Sequence, residues 1–139
     1  MTVRRDWSDA RQKIEDEGRC RLCSVTGVKI DAAHVLARRY DHPRVAGSST
    51  KVLYVHPDSV LPLCSDSVVE SSTGPDGVPE NRVRQGCHTR YDAGEVSILA
   101  VLTPDEQLRA VQDAGGIELA RRRIDAPDYR REIEEARRS

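Results

Sequence analysis

Apolar residues near the start of the chain recur at helical spacing. Trp7, Ala10 and Ile14 share one face of a helix predicted over residues 6–17, with Asp6 as its cap and Gly18 as its end. Cys20-Arg-Leu-Cys23 follows as a tight turn between two thiols. From 28 to 35 apolar and polar positions alternate, which predicts a strand ending near His34. Residues 40–50, with Pro43, Gly47, Ser48 and Ser49, read as a loop, and the short apolar runs 52–55 and 60–63 are each candidate strands.

Residues 65–86 read as an inserted loop, because Ser, Gly and Pro dominate 71–79. Cys87-His88 opens a short helix through Asp92, with Gly94 at its end. The last third is helical. Thr103-Pro-Asp-Glu106 is a capping box with Pro at the first helical position, Leu108 and Val111 share a face, and Gly115–Gly116 stop the helix. Ile117, Ala120 and Ile124 mark a second helix, and Tyr129, Ile133 and Ala136 a third after Pro127. The reading is one α+β domain over 1–102, carrying the inserted loop, and a helical C-terminal extension over 103–139.

Composition makes this a lean core. Of 139 residues, 37% are hydrophobic and 4% aromatic, with no Phe and one Trp, so an external cross-link would add needed stability. The longest apolar run, 96–102, is too short for a membrane span and contains Ser97. Nothing resembles a signal peptide, which leads to the expectation of a cytoplasmic protein whose cysteines stay reduced. The net charge of −1 gives no bulk attraction to nucleic acid. Arginines do cluster at Arg38–Arg39, at Arg82 and Arg84, and at 121–123, where the simplest reading is a solvated face.

Four cysteines in such a chain point to metal. A Cys-x-x-Cys turn curls two sulfurs toward one point, so Cys20 and Cys23 supply half of a tetrahedral zinc site. Cys64 and Cys87 are the other half, brought together from either end of the 65–86 segment. The alternatives are a redox pair at Cys20/Cys23 and two unrelated buried thiols.

Between the two halves lie Ile30-Asp-Ala-Ala-His-Val-Leu-Ala-Arg38 and His56-Pro-Asp-Ser-Val-Leu-Pro-Leu-Cys64, followed by Gly86-Cys-His-Thr-Arg-Tyr-Asp92. A Cys-x-x-Cys pair, an Ala-His-Val strand end, a Pro-Leu-Cys segment and a Cys-His-x-x-Tyr-Asp helix start, in that order, resemble the small zinc-bearing HNH endonucleases of phages and bacteria. The resemblance covers about residues 18–100. It implies a ββα-metal, treble-clef-like core stapled by a four-cysteine zinc site, with an N-terminal helix and a C-terminal helical extension.

The resemblance also implies roles. His34 would be the general base that takes a proton from water, since a neutral imidazole can do so at physiological pH. His88 would bind the catalytic divalent ion, Mg²⁺ or another metal, with Asp92 four residues on sharing its helical face. Arg38 and Arg39 would hold a flanking phosphate of the DNA. Two positions depart from the pattern. Ser59, beside Asp58, stands where the family has an Asn that braces the base-bearing loop. Ala33 stands where many members have a metal ligand, and Asp31, two residues away on the same strand face, is the substitute carboxylate. Tyr91 reads as core or cap rather than catalytic, and His42 and His56 as surface residues, His56 the nearer to the site. The implied activity is hydrolysis of DNA phosphodiester bonds with little sequence specificity, alone or beside a protein partner such as a phage terminase. The tail would dock on DNA through Arg121, Arg122 and Arg123, or on a partner protein. The alternative is a catalytically degenerate, zinc-stabilised DNA- or protein-binding module.

Overall fold

The computed structural model describes residues 2–36, 42–46 and 50–138. The first half runs through β1 (Thr2–Asp6), α1 (Ser8–Glu17), β2 (Ile30–His34), β3 (His42–Ala46), β4 (Thr50–Tyr54) and β5 (Val60–Cys64). The second half runs through β6 (Ser67–Thr73), β7 (Pro79–Arg84), α2 (Cys87–Asp92), α3 (Pro104–Ala114), α4 (Ile117–Ile124) and α5 (Ala126–Arg138). Among the described residues no helix is long and apolar enough to cross a membrane.

The centre is the antiparallel pair β2/β5, in which Ile30 lies opposite Cys64 and His34 opposite Val60. Every residue of β5 is buried, as expected of a strand covered on both faces. Its Pro62 has no N–H to give, and it occupies a position whose backbone turns away from β2. The Pro62 carbonyl instead accepts the Arg21 N–H at 2.9 Å, so the outer edge of β5 is closed by the cysteine turn.

Alternation along β2 divides the core. Ala33 and Val35 enter the larger cluster with Leu61, Leu63, Tyr91, Ile98 and the buried cysteines. Ala32 packs instead with Trp7, Ala10 and Ile14 of the α1 side, and Ile30 touches both clusters. The predicted N-terminal helix is therefore present and ends at Gly18, whose φ of 65° is left-handed. Asp6 does not occupy the cap position itself but accepts from the Ser8 N–H at 3.1 Å.

Two segments expected as loops are strands. Residues 42–46 form β3 along β4, and Pro43 is tolerated because β3 is an edge strand of the sheet β1-β4-β3. The inserted segment 65–86 is largely the hairpin β6/β7, turned where the Gly77 N–H meets the Gly74 carbonyl at 2.9 Å. The facing residues Val68 and Val83 are both exposed. β1 also went unpredicted, since it is mostly polar and forms by parallel pairing with the distant β4.

α3 and α4 begin and end as expected, but they are not an appendage. Thr103 Oγ1 accepts from the Glu106 N–H at 3.2 Å and Glu106 Oε1 accepts from the Thr103 N–H at 2.7 Å, completing the capping box. Gly115, at φ 79°, closes α3. Leu102, Ala110, Ala120 and Ile124 belong to the same buried cluster as Cys20, Cys64 and Cys87. The boundary expected at 103 thus falls inside the core. α5 starts at Ala126, placing Pro127 in its first turn where a missing N–H costs nothing, and its residues 131–138 are exposed.

Glu106 joins these parts. Its carboxylate is fully buried and accepts from Lys13 of α1 and from Arg21 of the cysteine turn, in addition to the cap. Lys13 Nζ also donates to the carbonyls of Pro57 (2.7 Å) and Val60 (2.8 Å). Desolvation favours the neutral acid, but the hydrogen bonds from Lys13, Thr103 and Arg21 outweigh it and hold the Glu106 carboxyl below its ordinary value of 4.5. A depressed carboxyl stabilises the fold above its ordinary value and loses that contribution as pH falls through the folded-state value. Glu106→Gln, which leaves Lys13 with only two carbonyl acceptors and Arg21 with Glu17, is expected to cost about 3 kcal/mol in urea unfolding at neutral pH. The gap between wild type and variant should narrow on acidification below about pH 4.5.

Candidate metal centre and histidine cleft

The cysteine turn is built by its backbone. The Ser24 N–H donates to the Cys20 carbonyl at 2.9 Å and the Cys20 N–H to the Val25 carbonyl at 3.1 Å, with Ser24 left-handed at φ 63°. Cys64 ends β5 and Cys87 opens α2, and the Cys87 N–H donates to Cys64 Sγ at 3.2 Å. Gly86 allows that approach. A β-carbon there would lie 2.2 Å from the Cys64 carbonyl oxygen and 2.4 Å from the Ser65 carbonyl carbon, so no other residue fits without backbone movement. Asp66 secures the start of α2, accepting from the Gly86 N–H at 2.7 Å and from Thr89 Oγ1 at 2.8 Å. These two bonds, the backbone one first, hold its carboxyl below the ordinary range.

All four sulfurs lie within 4.8 Å of one another. Zinc–sulfur bonds of about 2.3 Å in a tetrahedron require sulfurs about 3.8 Å apart. Cys23 and Cys64 are at 3.8 Å. The cysteines are free thiols, three buried and Cys23 exposed. Desolvation opposes ionisation at Cys23, but hydrogen bonds from the Val25 N–H, Cys20, Arg84 and Cys64 overcome it and bring this thiol down to about 6. At Cys64 and Cys87 desolvation prevails, and both thiols are pushed up. Four such groups cannot all ionise side by side unless a cation takes up their charge, so the donor set suits a thiolate-binding metal such as zinc. The reading as unrelated thiols is excluded by their convergence. Among the described residues, no other set of three or more Cys, His, Asp or Glu donors, one atom each, gathers in this way.

The histidine site is arranged differently. His88 sits in the first turn of α2 with Nδ1 at 2.9 Å from Asp31 Oδ2 and Nε2 at 3.3 Å from Asp92 Oδ2. The two expected carboxylates thus flank the imidazole from opposite sides rather than meeting at one of its nitrogens. Arg123 of α4 fixes this end of α2. Its guanidinium reaches Asp92 Oδ1 at 2.9 Å and the Tyr91 carbonyl at 3.2 Å, and lies 4.3 Å from the centre of the Tyr91 ring. Tyr91 is fully buried, as expected of a core residue, and its hydroxyl donates to the Val35 carbonyl at 2.6 Å. Burial pushes that phenol up.

His34 ends β2 with the strand parity of Ala32, opposite to that of Asp31 and Ala33. Its ring meets the edge of Trp7, centroids 5.2 Å apart. Ser59 braces the residue after His34, through its backbone rather than its side chain: the Ser59 carbonyl accepts from the Val35 N–H at 2.9 Å. Ala33 is buried at 1% exposure, so no carboxylate stands there. A cleft of about 510 Å³ runs beside β2, walled by Trp7, Arg11 and Glu15 on one side and Asp31 and His88 on the other.

Arg38 and Arg39, and the side chain of His42, lie outside the described residues. His56 is half-buried and its Nδ1 accepts from the Asp58 N–H at 3.0 Å, a local cap rather than a ligand. In the arginine run expected to dock on DNA, Arg121 and Arg122 are exposed; Arg121 pairs with the exposed Glu132 at 2.9 Å, and the half-buried Arg123 with Asp92. Trp7, Asp66, Gly86 and Arg123 had not been expected at the site. Only Gly86, directly before Cys87, carried a local signal. Compared with protein families, curated proteins and solved structures, the chain matches none.

Purified protein is expected to carry close to one zinc per chain by elemental analysis, lost in Cys64→Ala together with cooperative unfolding. Gly86→Ala, which leaves all four ligands in place, should also lose metal and cost on the order of 3 kcal/mol or more.

Proposed function

We propose that this chain is a metal-dependent HNH-type endonuclease that hydrolyses DNA phosphodiester bonds on a zinc-stapled ββα core. One observation carries the reading. An antiparallel pair whose first strand ends in His34 is followed by a helix that sets His88 between Asp31 and Asp92 on an open cleft. The four cysteines tie that helix to the strand behind it.

The roles follow from which atom faces which. A metal-binding histidine usually gives its other ring N–H to a carboxylate, which fixes the tautomer. Asp31 at Nδ1 fills that role, leaving Nε2 of His88 and Oδ2 of Asp92 as the pair that would hold a divalent ion. The ion would polarise the scissile phosphate. Arg123, bound to the other oxygen of Asp92, keeps that carboxylate turned toward His88. His34 accepts the proton of the attacking water, while Ser59 and Tyr91 fix the backbone on its C-terminal side through Val35.

A second reading, a DNA-binding module without catalysis, is favoured by the buried Ala33 and by the lack of a preformed third donor among the described residues. Plasmid nicking separates the two. With Mg²⁺, Mn²⁺ or Ni²⁺, wild type should nick supercoiled DNA, and His34→Ala and His88→Ala should fall at least about 100-fold. Asp31→Asn should fall about 10–100-fold and need more metal for half-maximal rate. Wild type as inert as the variants in every metal, with DNA still retarded on a gel, would establish the module instead.

A further inference from the structure

The cleft beside His88 does not end at Trp7. A second hollow of about 370 Å³ opens at the start of α1, walled by Arg4, Arg5, Asp6 and Ser8, and shares Trp7 and Arg11 with the first. The two meet at Trp7 and Arg11 and differ in charge, one mainly basic and the other mixed. Three guanidiniums stand at the start of α1, whereas the lining beside His88 is mixed, with Glu15 and Asp31 accompanied by Lys29, whose Nζ is 3.9 Å from Asp31 Oδ1. Asp6, the carboxylate at the basic end, is turned into the helix start, where it accepts from the Ser8 N–H and hydroxyl. Arg4 and Arg11 are exposed, and among the described residues neither has a carboxylate partner.

We propose that Arg4, Arg5 and Arg11 are the phosphate-binding end of the groove, and that a DNA strand runs from them across Trp7 to His88. Arginine forks suit phosphate oxygens, and an indole offers a face on which a base or sugar packs. The mixed lining beside His88 offers a phosphate no net charge, so the arginines at the start of α1 supply the attraction. A polyanion long enough to meet all three arginines releases more counterions than an isolated anion and is favoured over it. The inference rests on the nuclease reading for the chemistry at His88, but binding at the arginines is measurable without cleavage.

Trp7 is the chain's one tryptophan, so its emission reports on the groove. Zinc-loaded full-length protein, with no Mg²⁺ or Mn²⁺ added, is titrated with a short DNA duplex at several salt concentrations. A saturable change in Trp7 emission is expected. Arg4→Ala with Arg11→Ala should weaken binding on the order of tenfold or more and lower the slope of log affinity against log salt by about two, since each phosphate contact contributes about 0.9. Arg137→Ala with Arg138→Ala removes the same charge from exposed α5, outside the groove, and should leave affinity within about twofold. If the double variant loses zinc or helix content, Arg11→Ala alone carries the test, with a slope change of about one. The proposal is overturned if the groove variant titrates like wild type, if the α5 control loses as much, or if a polyglutamate peptide binds as tightly through the same arginines. Arginine-dependent binding without nicking in any metal overturns the nuclease reading and leaves this one standing. Nicking and binding that both survive the arginine changes overturn this one alone.

Discussion

Four sulfurs within 4.8 Å of one another, three of them buried, pose a charge problem that the chain does not solve with its own groups. Among the described residues Arg84 is the one cation with a hydrogen bond to a sulfur, at 3.8 Å from Cys23, and it lies on the exposed side. Burial pushes Cys64 and Cys87 toward the protonated form, while hydrogen bonds favour the Cys23 thiolate. A divalent ion removes the difficulty by taking the thiolates together. The rest of the architecture depends on that convergence. It joins the end of β5 to the start of α2, and α2 carries His88 to its place beside β2.

Glu106 is the second joint, and it works by different physics. A carboxylate taken wholly out of water is tolerable only with full hydrogen bonding and compensating charge, and here it receives two cations and a backbone N–H. Because Lys13 comes from α1, Arg21 from the cysteine turn and Glu106 from α3, the contact links three distant parts of the chain. The C-terminal helices consequently act as walls of the core, and Arg123 of α4 reaches the site itself.

Local patterns foretold what local forces govern. The capping box at Thr103 and Glu106, the glycines ending α1 and α3, the strand ending at His34 and the Cys-x-x-Cys turn were all legible, because each is decided within a few residues. β1, β3 and the β6/β7 hairpin were not, because β1 is mostly polar and made by pairing with the distant β4, and the other two carry the Pro, Gly and Ser that mark loops. The partners of buried charges were equally hidden. Glu106 was recognisable as a cap but not as the meeting point of Lys13 and Arg21, and nothing in the order of residues places Arg123 on Asp92. The same limit applies to the flanking of His88. Spacing put Asp92 on its helical face, while the opposite approach of Asp31 required the fold.

The metal centre therefore bears more of the account than any other feature, and its chemistry is directly measurable. Zinc K-edge absorption of the purified chain should show four sulfur neighbours at about 2.3 Å and no nitrogen or oxygen in the inner shell. A mixed shell containing histidine nitrogen, or metal-free protein whose cysteines are joined as disulfides, would contradict it.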